Sequence, residues 1–316
     1  MTKSFVHLHA HTEYSMLDGA AKIVDYLKKV KELNQPAAAI TDHGNLYGAM
    51  EFVQKANDLG IKPIIGYEAY ITPGSRFDRP DRENNKRYHL TLLAENNIGY
   101  QNLVELVSKA YTEGYYYKPR IDYDLLEQHH DGLIALSGCL GGELAQHLAP
   151  DGSVEEGNTS NERSFEKALE VAKKYQSIFG KNNYFIEIHN HGIKQQLDIL
   201  DDLVEIAELI EAPLVAANDS HYVEENGAEA HDALLCVQTN RTLDDESRFR
   251  FDGSGYYVKS SEEMRKLFPQ DKYPDACNNT IAIADRVNYE FNFDNSYLPD
   301  FPINEKNVSP EELLKT

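Results

Sequence analysis

The chain has 316 residues, with 31 lysine and arginine residues against 52 aspartate and glutamate residues, and its formal net charge is -21. A charge of this sign repels polyanions, so composition argues against a domain that binds nucleic acid through a basic surface alone. No apolar run approaches the roughly 20 residues that span a bilayer, no apolar signal stretch opens the sequence, and its three cysteines are widely separated. We therefore expect a cytoplasmic protein with no membrane span and no disulfides.

Seven β-rich segments alternate with stretches of helical period along the chain. The predicted strands are 4–9, 37–42, 62–71, 88–95, 132–137, 184–190 and 213–218. Between the first two, Ile23, Leu27, Val30 and Leu33 recur at helical spacing. Strands and helices in this order predict an α/β fold of parallel strands with right-handed crossovers, closed as a barrel or left as an open sheet. Seven units favour the barrel, a distorted seven-stranded (β/α) TIM-like barrel.

Three regions interrupt this alternation. Residues 72–87 contain two prolines and five basic residues and are predicted to form a long loop, and residues 149–162 are rich in polar residues and glycine. The last residues contain several prolines and read as an extended segment. We therefore expect one domain over 1–290 and an extended linker over 291–316.

Most of the histidines lie within or just after the predicted strands. They are His7, His9, His11, His43, His89, His189, His191 and His221. Acidic residues and a cysteine occupy comparable positions, namely Asp18, Asp42, Glu68, Cys139 and Asp219. The carboxyl ends of barrel strands form one rim, so side chains far apart in sequence are expected to meet there.

Imidazole, carboxylate and thiolate together are the ligands of zinc and neighbouring transition metals, whereas magnesium and calcium prefer oxygen alone. A single histidine in a strand is more often a buried structural residue than a ligand. The joint placement of so many favours a metal site, with zinc or manganese as the metal.

The segments LHAHT with LDG, TDHG, GYEAY, YHL, SGC and NDSHY closely resemble the PHP (polymerase and histidinol phosphatase) domain. The resemblance runs over residues 4–290 and continues into LPDFP. It implies three divalent metal ions, zinc or manganese, held by three sets of ligands. The sets are His9, His11, Glu68 and Asp219; Asp18, His43 and His221; and His89 with Cys139, with Glu68 bridging to the first metal.

The phosphatase branch of this family tends to carry histidine where this chain has Asp18 and Cys139. The closer likeness is to the branch found in bacterial replicative DNA polymerase III alpha subunits. That likeness implies a 3′-5′ exonuclease that proofreads DNA, with a primer 3′ end, the remainder of the polymerase subunit and replisome proteins as partners. Two alternatives remain open, a small-molecule phosphomonoesterase and an inactive, metal-stabilised domain that binds partners.

Further residues are candidates for contact with substrate. His191 follows a strand and could support the metals, contact phosphate or donate a proton, so we give it a tentative catalytic role. The loop residues Arg76 and Arg79 follow the strand that contains Glu68 and are candidates for contact with a phosphate backbone. The stretch that contains Tyr116, Lys118 and Arg120 combines cations with aromatic rings, as single-strand binding surfaces do. Packing inside the protein explains the same stretch equally well.

The palm and finger regions that a polymerase needs do not fit within 316 residues. We therefore expect the chain to be a domain separated from a polymerase, with weak DNA binding and slow turnover by itself.

Overall fold

The computed structural model describes residues 4–81, 84–150, 162–253, 255–291 and 293. The strands are β1 (Ala37–Ile40), β2 (Lys62–Ile71), β3 (Tyr88–Ala94), β4 (Arg120–Ile121), β5 (Leu133–Leu136), β6 (Tyr184–Ile188) and β7 (Leu214–Ala216). The helices are α1 (Ile23–Glu32), α2 (Ala49–Leu59), α3 (Asn97–Thr112), α4 (Tyr123–Gln128), α5 (Glu143–Leu148), α6 (Phe165–Phe179), α7 (Lys194–Ile210), α8 (Ala228–Thr239), α9 (Ser261–Leu267) and α10 (Ala276–Arg286). A short 3₁₀ helix, Glu225–Gly227, precedes α8.

The seven strands form one sheet in the order β1-β2-β3-β5-β6-β7, with β4 paired to β2. Pairing is parallel except at β3, which runs antiparallel to both β2 and β5. The prediction of an all-parallel sheet is therefore wrong at this strand. Its cause is the loop between β2 and β3, because a connection without a crossover helix returns the chain in the opposite direction.

The N-terminal segment curls the sheet towards closure without forming a regular strand. The carbonyl of His7 accepts from the amide of Ala39 in β1 at 3.0 Å. On its other side, the amide of His11 donates to the carbonyl of Ser220, just after β7, at 2.8 Å. The strand predicted at 4–9 is thus an extended connection between the two ends of the sheet. The predicted α/β class and the distorted seven-stranded barrel are confirmed.

The core lies inside the curled sheet and between the sheet and its helices. Every residue of β3, β5 and β6 is buried, as expected for strands covered on both faces. Helix α1 buries Ile23, Leu27 and Val30 against β1, and Leu33 caps its end. Among the described residues, no helix is both long enough and apolar enough to cross a membrane.

The long loop after β2 is anchored by one fully buried cation, Arg120 of β4. Its guanidinium donates to the carbonyls of Gly114, Arg76 and Asp78 and to Oδ1 of Asn85, at 2.7 to 3.1 Å. Charged side chains are almost never fully buried unless their donors are satisfied in this way. Arg120 therefore fastens the loop to the turn before β4.

The predicted linker at 291–316 lies almost wholly outside the described residues. Phe291, at its beginning, still packs edge to face against Tyr100 of α3, with ring centroids 4.8 Å apart. The boundary at residue 290 stays a prediction.

We predict that Arg120→Met lowers the free energy of unfolding by about 3 kcal/mol, because the carbonyl of Gly114 and Oδ1 of Asn85 lose the donor that Arg120 supplies and the loop loses its buried anchor. Chemical denaturation monitored by circular dichroism measures this loss. Lys55→Met, at an exposed position of α2, is the control and should change stability little. Equal effects of the two substitutions would contradict the anchoring role.

Candidate metal centre

The nine residues that the family resemblance implies as ligands come together at one rim of the sheet, and we call them the donor cluster. They are His9, His11, Asp18, His43, Glu68, His89, Cys139, Asp219 and His221. Because β3 runs antiparallel, its first residues reach the rim at which the parallel strands end. His89 therefore meets the ligands that lie at the far ends of other strands.

Glu68 of β2 occupies the centre of the cluster and is almost fully buried. Its Oε1 lies 3.3 Å from Nε2 of His9, 2.9 Å from Nδ1 of His89 and 3.6 Å from Sγ of Cys139. Its Oε2 lies 2.6 Å from Nδ1 of His43. One carboxylate thus joins side chains from four separate segments of the chain.

The other two carboxylates each contact histidines. Oδ1 of Asp219 lies 3.1 Å from Nε2 of His11. Oδ2 of Asp18 lies 2.8 Å from Nε2 of His43 and 3.3 Å from Nε2 of His221. The ring of His11 stacks between those of His43 and His221, with centroids 4.1 and 4.3 Å away. His11 is therefore near two of the predicted ligand sets at once.

Several buried atoms of the cluster make no hydrogen bond of ordinary geometry. These atoms are Nε2 of His9, His11 and His221, Nδ1 of His43, Oε2 of Glu68 and Oδ1 of Asp219. Buried polar atoms are rarely left without a partner, because each costs about 1 to 3 kcal/mol. Many donor spacings of 3.1 to 3.6 Å resemble the roughly 3.4 Å edge of a tetrahedron with metal bonds near 2.1 Å. The donor set therefore fits divalent cations.

Charges of opposite sign hold the carboxylates ionised. Burial by itself raises the pKa of Glu68, but the charges of His89, His43 and His9 outweigh burial and hold that pKa well below its usual range. Burial is likewise outweighed at Asp18, whose pKa neighbouring histidines lower. Burial and the charge of Glu68 raise the pKa of the Cys139 thiol, so a thiolate here needs a nearby cation.

Two side chains outside the cluster orient its histidines. Nδ1 of His9 is bonded to Oε1 of Glu187 at 2.7 Å, which turns Nε2 towards the other donors. Nδ1 of His11 is bonded to Oγ of Ser15 at 2.9 Å with the same effect. Metal-binding histidines commonly use their second nitrogen in this way. Glu187 and His189 also form, with His9, a further group that could hold a cation.

The sequence prediction missed Glu187. The available signal was an acidic residue in the apolar strand YFIEI, two positions before His189 and so on the same face of the strand. The sequence prediction places Asp42 with the carboxylates of the rim. In the structure, Asp42 instead holds the chain segment that follows His11. Its oxygens accept from the amide and hydroxyl of Thr12 and from the hydroxyl of Ser15, at 2.6 to 2.7 Å.

Left-handed backbone conformations place two of the donors. Gly44, directly after His43, has φ of +63°, and a Cβ there would lie 2.8 Å from Cγ of Pro119 and 3.2 Å from the ring of Tyr70. Only glycine fits such a position without strain. Asp219 itself has φ of +46°, a conformation that aspartate tolerates better than most residues.

His191 is a partner of the backbone that precedes Asp219. Its Nε2 donates to the carbonyl of Asn218 at 2.8 Å, its Nδ1 is bonded to Nε2 of Gln196 at 2.9 Å, and its ring stacks on Tyr256 at 3.9 Å. Burial, followed by the charge of His189, lowers its pKa to about 3. A neutral ring with both nitrogens occupied favours a positioning role over the predicted proton donor or phosphate contact.

The residues predicted to contact DNA are held mainly by bonds within the protein. Arg120 is fully buried and its guanidinium donates to the carbonyl of Asp78 at 2.7 Å, so its contact with DNA stays a prediction that its burial does not favour. Arg76 forms ion pairs with Glu113 at 2.7 Å and with Asp122 at 3.0 Å. Its charge is therefore already balanced.

The remaining three lie nearer the surface. Arg79 is exposed, and its guanidinium lies 5.5 Å from the ring centroid of Tyr116, whose hydroxyl donates to the carbonyl of Pro80 at 2.7 Å. Nζ of Lys118 donates to the hydroxyl of Tyr70 at 3.1 Å. These positions border the donor cluster through Tyr70, whose ring stacks 5.9 Å from that of His43.

Comparison with known proteins matches the chain to the PHP domain over residues 7–191. The DNA polymerase III subunit alpha of Treponema pallidum is 44% identical over 99% of this chain and 26% of its own length. The corresponding subunit of Thermus aquaticus is 45% identical over 98% of this chain and 25% of its own. The chain thus spans about a quarter of these relatives. The resemblance drawn from the sequence motifs is confirmed.

Among solved structures, a two-domain protein from Bacteroides vulgatus is described as containing a predicted PHP-like metal-dependent phosphoesterase. It aligns with a TM-score of 0.40 at 12% identity, covering 83% of this chain and 62% of that one. At that score the similarity adds nothing to the assignment.

Removal of divalent metals is predicted to lower the melting temperature by about 5 °C or more, since a ligand at 100 times its Kd stabilises a native state by about 2.7 kcal/mol. Differential scanning calorimetry before and after chelation measures the change. Addition of zinc or manganese should restore the original value. Equal melting temperatures in all three states would contradict metal binding by the donor cluster.

We predict that Glu187→Ala weakens metal binding by about 10- to 100-fold, because His9 loses the partner that orients its ring. Competition with a chromogenic chelator measures the affinity. Glu187→Gln should lose less, since its amide oxygen still accepts from Nδ1. Glu143→Ala is the matched control, because Glu143 is also buried but binds Tyr123 and Tyr175. An unchanged affinity in Glu187→Ala would exclude the orienting role.

Proposed function

From the premise that this chain belongs to the PHP domain family, we propose that it is a metal-dependent phosphodiesterase that removes nucleotides from the 3′ end of DNA. The observation that carries the proposal is the donor cluster, in which buried nitrogen, oxygen and sulfur atoms lie 2.6 to 3.6 Å apart and several make no hydrogen bond of ordinary geometry. Such a cluster has no evident structural use unless cations fill it.

We assign the donor cluster to three divalent metal ions, zinc or manganese. His9, His11, Glu68 and Asp219 would hold the first. Asp18, His43 and His221 would hold the second. Glu68, His89 and Cys139 would hold the third. The assignment is supported by the contacts of Glu68 with members of the first and third sets and by those of Asp18 with the second.

Divalent metals supply Lewis acidity and lower the pKa of bound water, which suits phosphodiester hydrolysis. The chain itself contributes negative charge that keeps the cations in place, through Glu68, Asp18 and Asp219, whose pKa values histidines lower against the effect of burial. Glu187 and Ser15 orient the histidines, and His191 steadies the backbone before Asp219. No side-chain nucleophile and no covalent intermediate are part of the proposal.

Similarity to DNA polymerase III alpha subunits supports DNA as the substrate and proofreading during replication as the role. The proposed partners are the primer 3′ end, the remainder of a polymerase alpha subunit and other replisome proteins, all in the cytoplasm. The acidic net charge of -21 would make the binding of DNA by this chain alone weak.

We predict that the metal-loaded chain shortens a 5′-labelled primer one nucleotide at a time from its 3′ end. Asp18→Asn and His9→Ala should each reduce this rate by at least about 100-fold, since each removes a donor from a separate proposed metal set. Denaturing gel electrophoresis of a time course measures the rates. Element analysis of each protein reports how much metal remains.

A matched control is Glu143→Gln, a buried carboxylate that contacts Tyr123 and Tyr175, which should cleave as the unmodified chain does. Equal digestion by the chain and both cluster variants would refute the proposal. Release of phosphate from a chromogenic monoester, with an intact primer, would favour the phosphomonoesterase. Bound metal with no cleavage of either substrate would favour a structural domain.

A further inference from the structure

In the part of the chain that the structure describes, the exposed tyrosines lie at residue 47 and within 111–117. Among the described residues, the tyrosines with at least a third of their surface exposed are Tyr47, Tyr111, Tyr115 and Tyr117, with exposures of 58%, 37%, 54% and 64%. Tyr111 lies 6.4 Å from Tyr47 and 6.0 Å from Tyr115, between ring centroids. Tyr117 is two residues further along the chain, and its ring meets that of Tyr116 edge to face with centroids 4.7 Å apart. We call Tyr47, Tyr111, Tyr115 and Tyr117 the tyrosine patch.

The tyrosine patch adjoins the donor cluster. Tyr47 follows His43 in the same loop, and its amide donates to Oδ1 of Asn45, whose side-chain amide donates to the carbonyl of His43. Tyr70 packs on the other side, 5.9 Å from His43 and 5.3 Å from His89. The donor cluster is therefore connected to Tyr47 through Asn45, and to Lys118, the chain neighbour of Tyr117, through Tyr70.

Cations border the patch on one side. Lys118 lies against Tyr70, 4.9 Å from its ring centroid, and Arg79 lies against Tyr116 at 5.5 Å. They are set in a chain of net charge -21, so phosphate contacts alone would hold a polyanion poorly. Exposed aromatic rings compensate for this, since bases stack on them without regard to sequence. Duplex bases are already stacked on each other, so this surface suits an unpaired strand.

We propose that the tyrosine patch is a stacking platform for the last unpaired nucleotides of a single strand and guides its 3′ end to the donor cluster. The inference rests on the proposed exonuclease function for the direction of the strand, but binding by the patch does not depend on hydrolysis. The patch replaces Arg120 and Arg76, whose guanidinium groups are engaged within the protein, as the principal contact.

The test measures the anisotropy of a 5′-labelled oligothymidylate of about ten nucleotides, with the chain metal-free so that no cleavage occurs. Tyr115→Ala and Tyr47→Ala should each weaken binding about tenfold, as expected for the loss of one stacked base. Tyr115→Phe should bind as the unmodified chain does, whereas Tyr115→Leu, which keeps apolar surface but no ring, should not. Leu209→Ala, at an exposed residue of α7, is the matched control and should have no effect.

Hydrolysis of a small chromogenic phosphodiester by the metal-loaded variants separates the patch from the metal centre. Tyr115→Ala should leave that hydrolysis unchanged and slow only the shortening of the primer. Unchanged oligothymidylate binding in both alanine variants would overturn the proposal, as would equal binding by the phenylalanine and leucine variants. The proposal would also be overturned if sedimentation velocity detected a dimer that Tyr115→Ala dissociates without affecting oligothymidylate binding. Patch-dependent binding without any hydrolysis would sustain the platform and refute the exonuclease.

Discussion

The structure depends on bringing three carboxylates, five imidazoles and a thiol into one buried space at a rim of the sheet. Oxygens and nitrogens within about 3 Å of each other in a dry site are costly unless charge and hydrogen bonding are satisfied. In the described chain, histidine charge offsets the carboxylates, yet pairs such as Nε2 of His11 and Oδ1 of Asp219, 3.1 Å apart, make no hydrogen bond of ordinary geometry. Bound cations would balance the charge and would contact the atoms that lack hydrogen bonds. This requirement explains how the residues around the donor cluster are arranged.

The parts of the fold nearest the donor cluster show this arrangement. The N-terminal segment gives up regular strand pairing and lies between β1 and the chain after β7, which delivers His9 and His11 together. Glu187 and Ser15 fix how those two rings turn. The three carboxylates of the donor cluster are compatible with a proposed DNA substrate, because bound cations would invert the local field.

Much of this could be predicted from the sequence, since hydrophobic period and strand-end position are local signals. The bounds of β2 and the buried positions of α1 agree with the sequence prediction. The nine residues of the donor cluster were also expected to meet at one rim. The direction of β3 was missed because strand direction depends on pairing, which the sequence of one strand does not encode. The burial of Arg120 could not be predicted, because a cation beside tyrosines looks the same in sequence whether it faces solvent or, as here, four acceptors of the protein. Glu187 was missed because its partner lies 178 residues away.

The most direct test of the central claim is X-ray diffraction from crystals of the metal-loaded chain, recorded on both sides of the zinc and manganese absorption edges. Anomalous difference density should appear among Glu68, Asp18, Asp219 and their histidines, within about 2.0 to 2.3 Å of the atoms that lack hydrogen bonds. A map with no anomalous density there, although the same crystals contain metal elsewhere, would contradict the account.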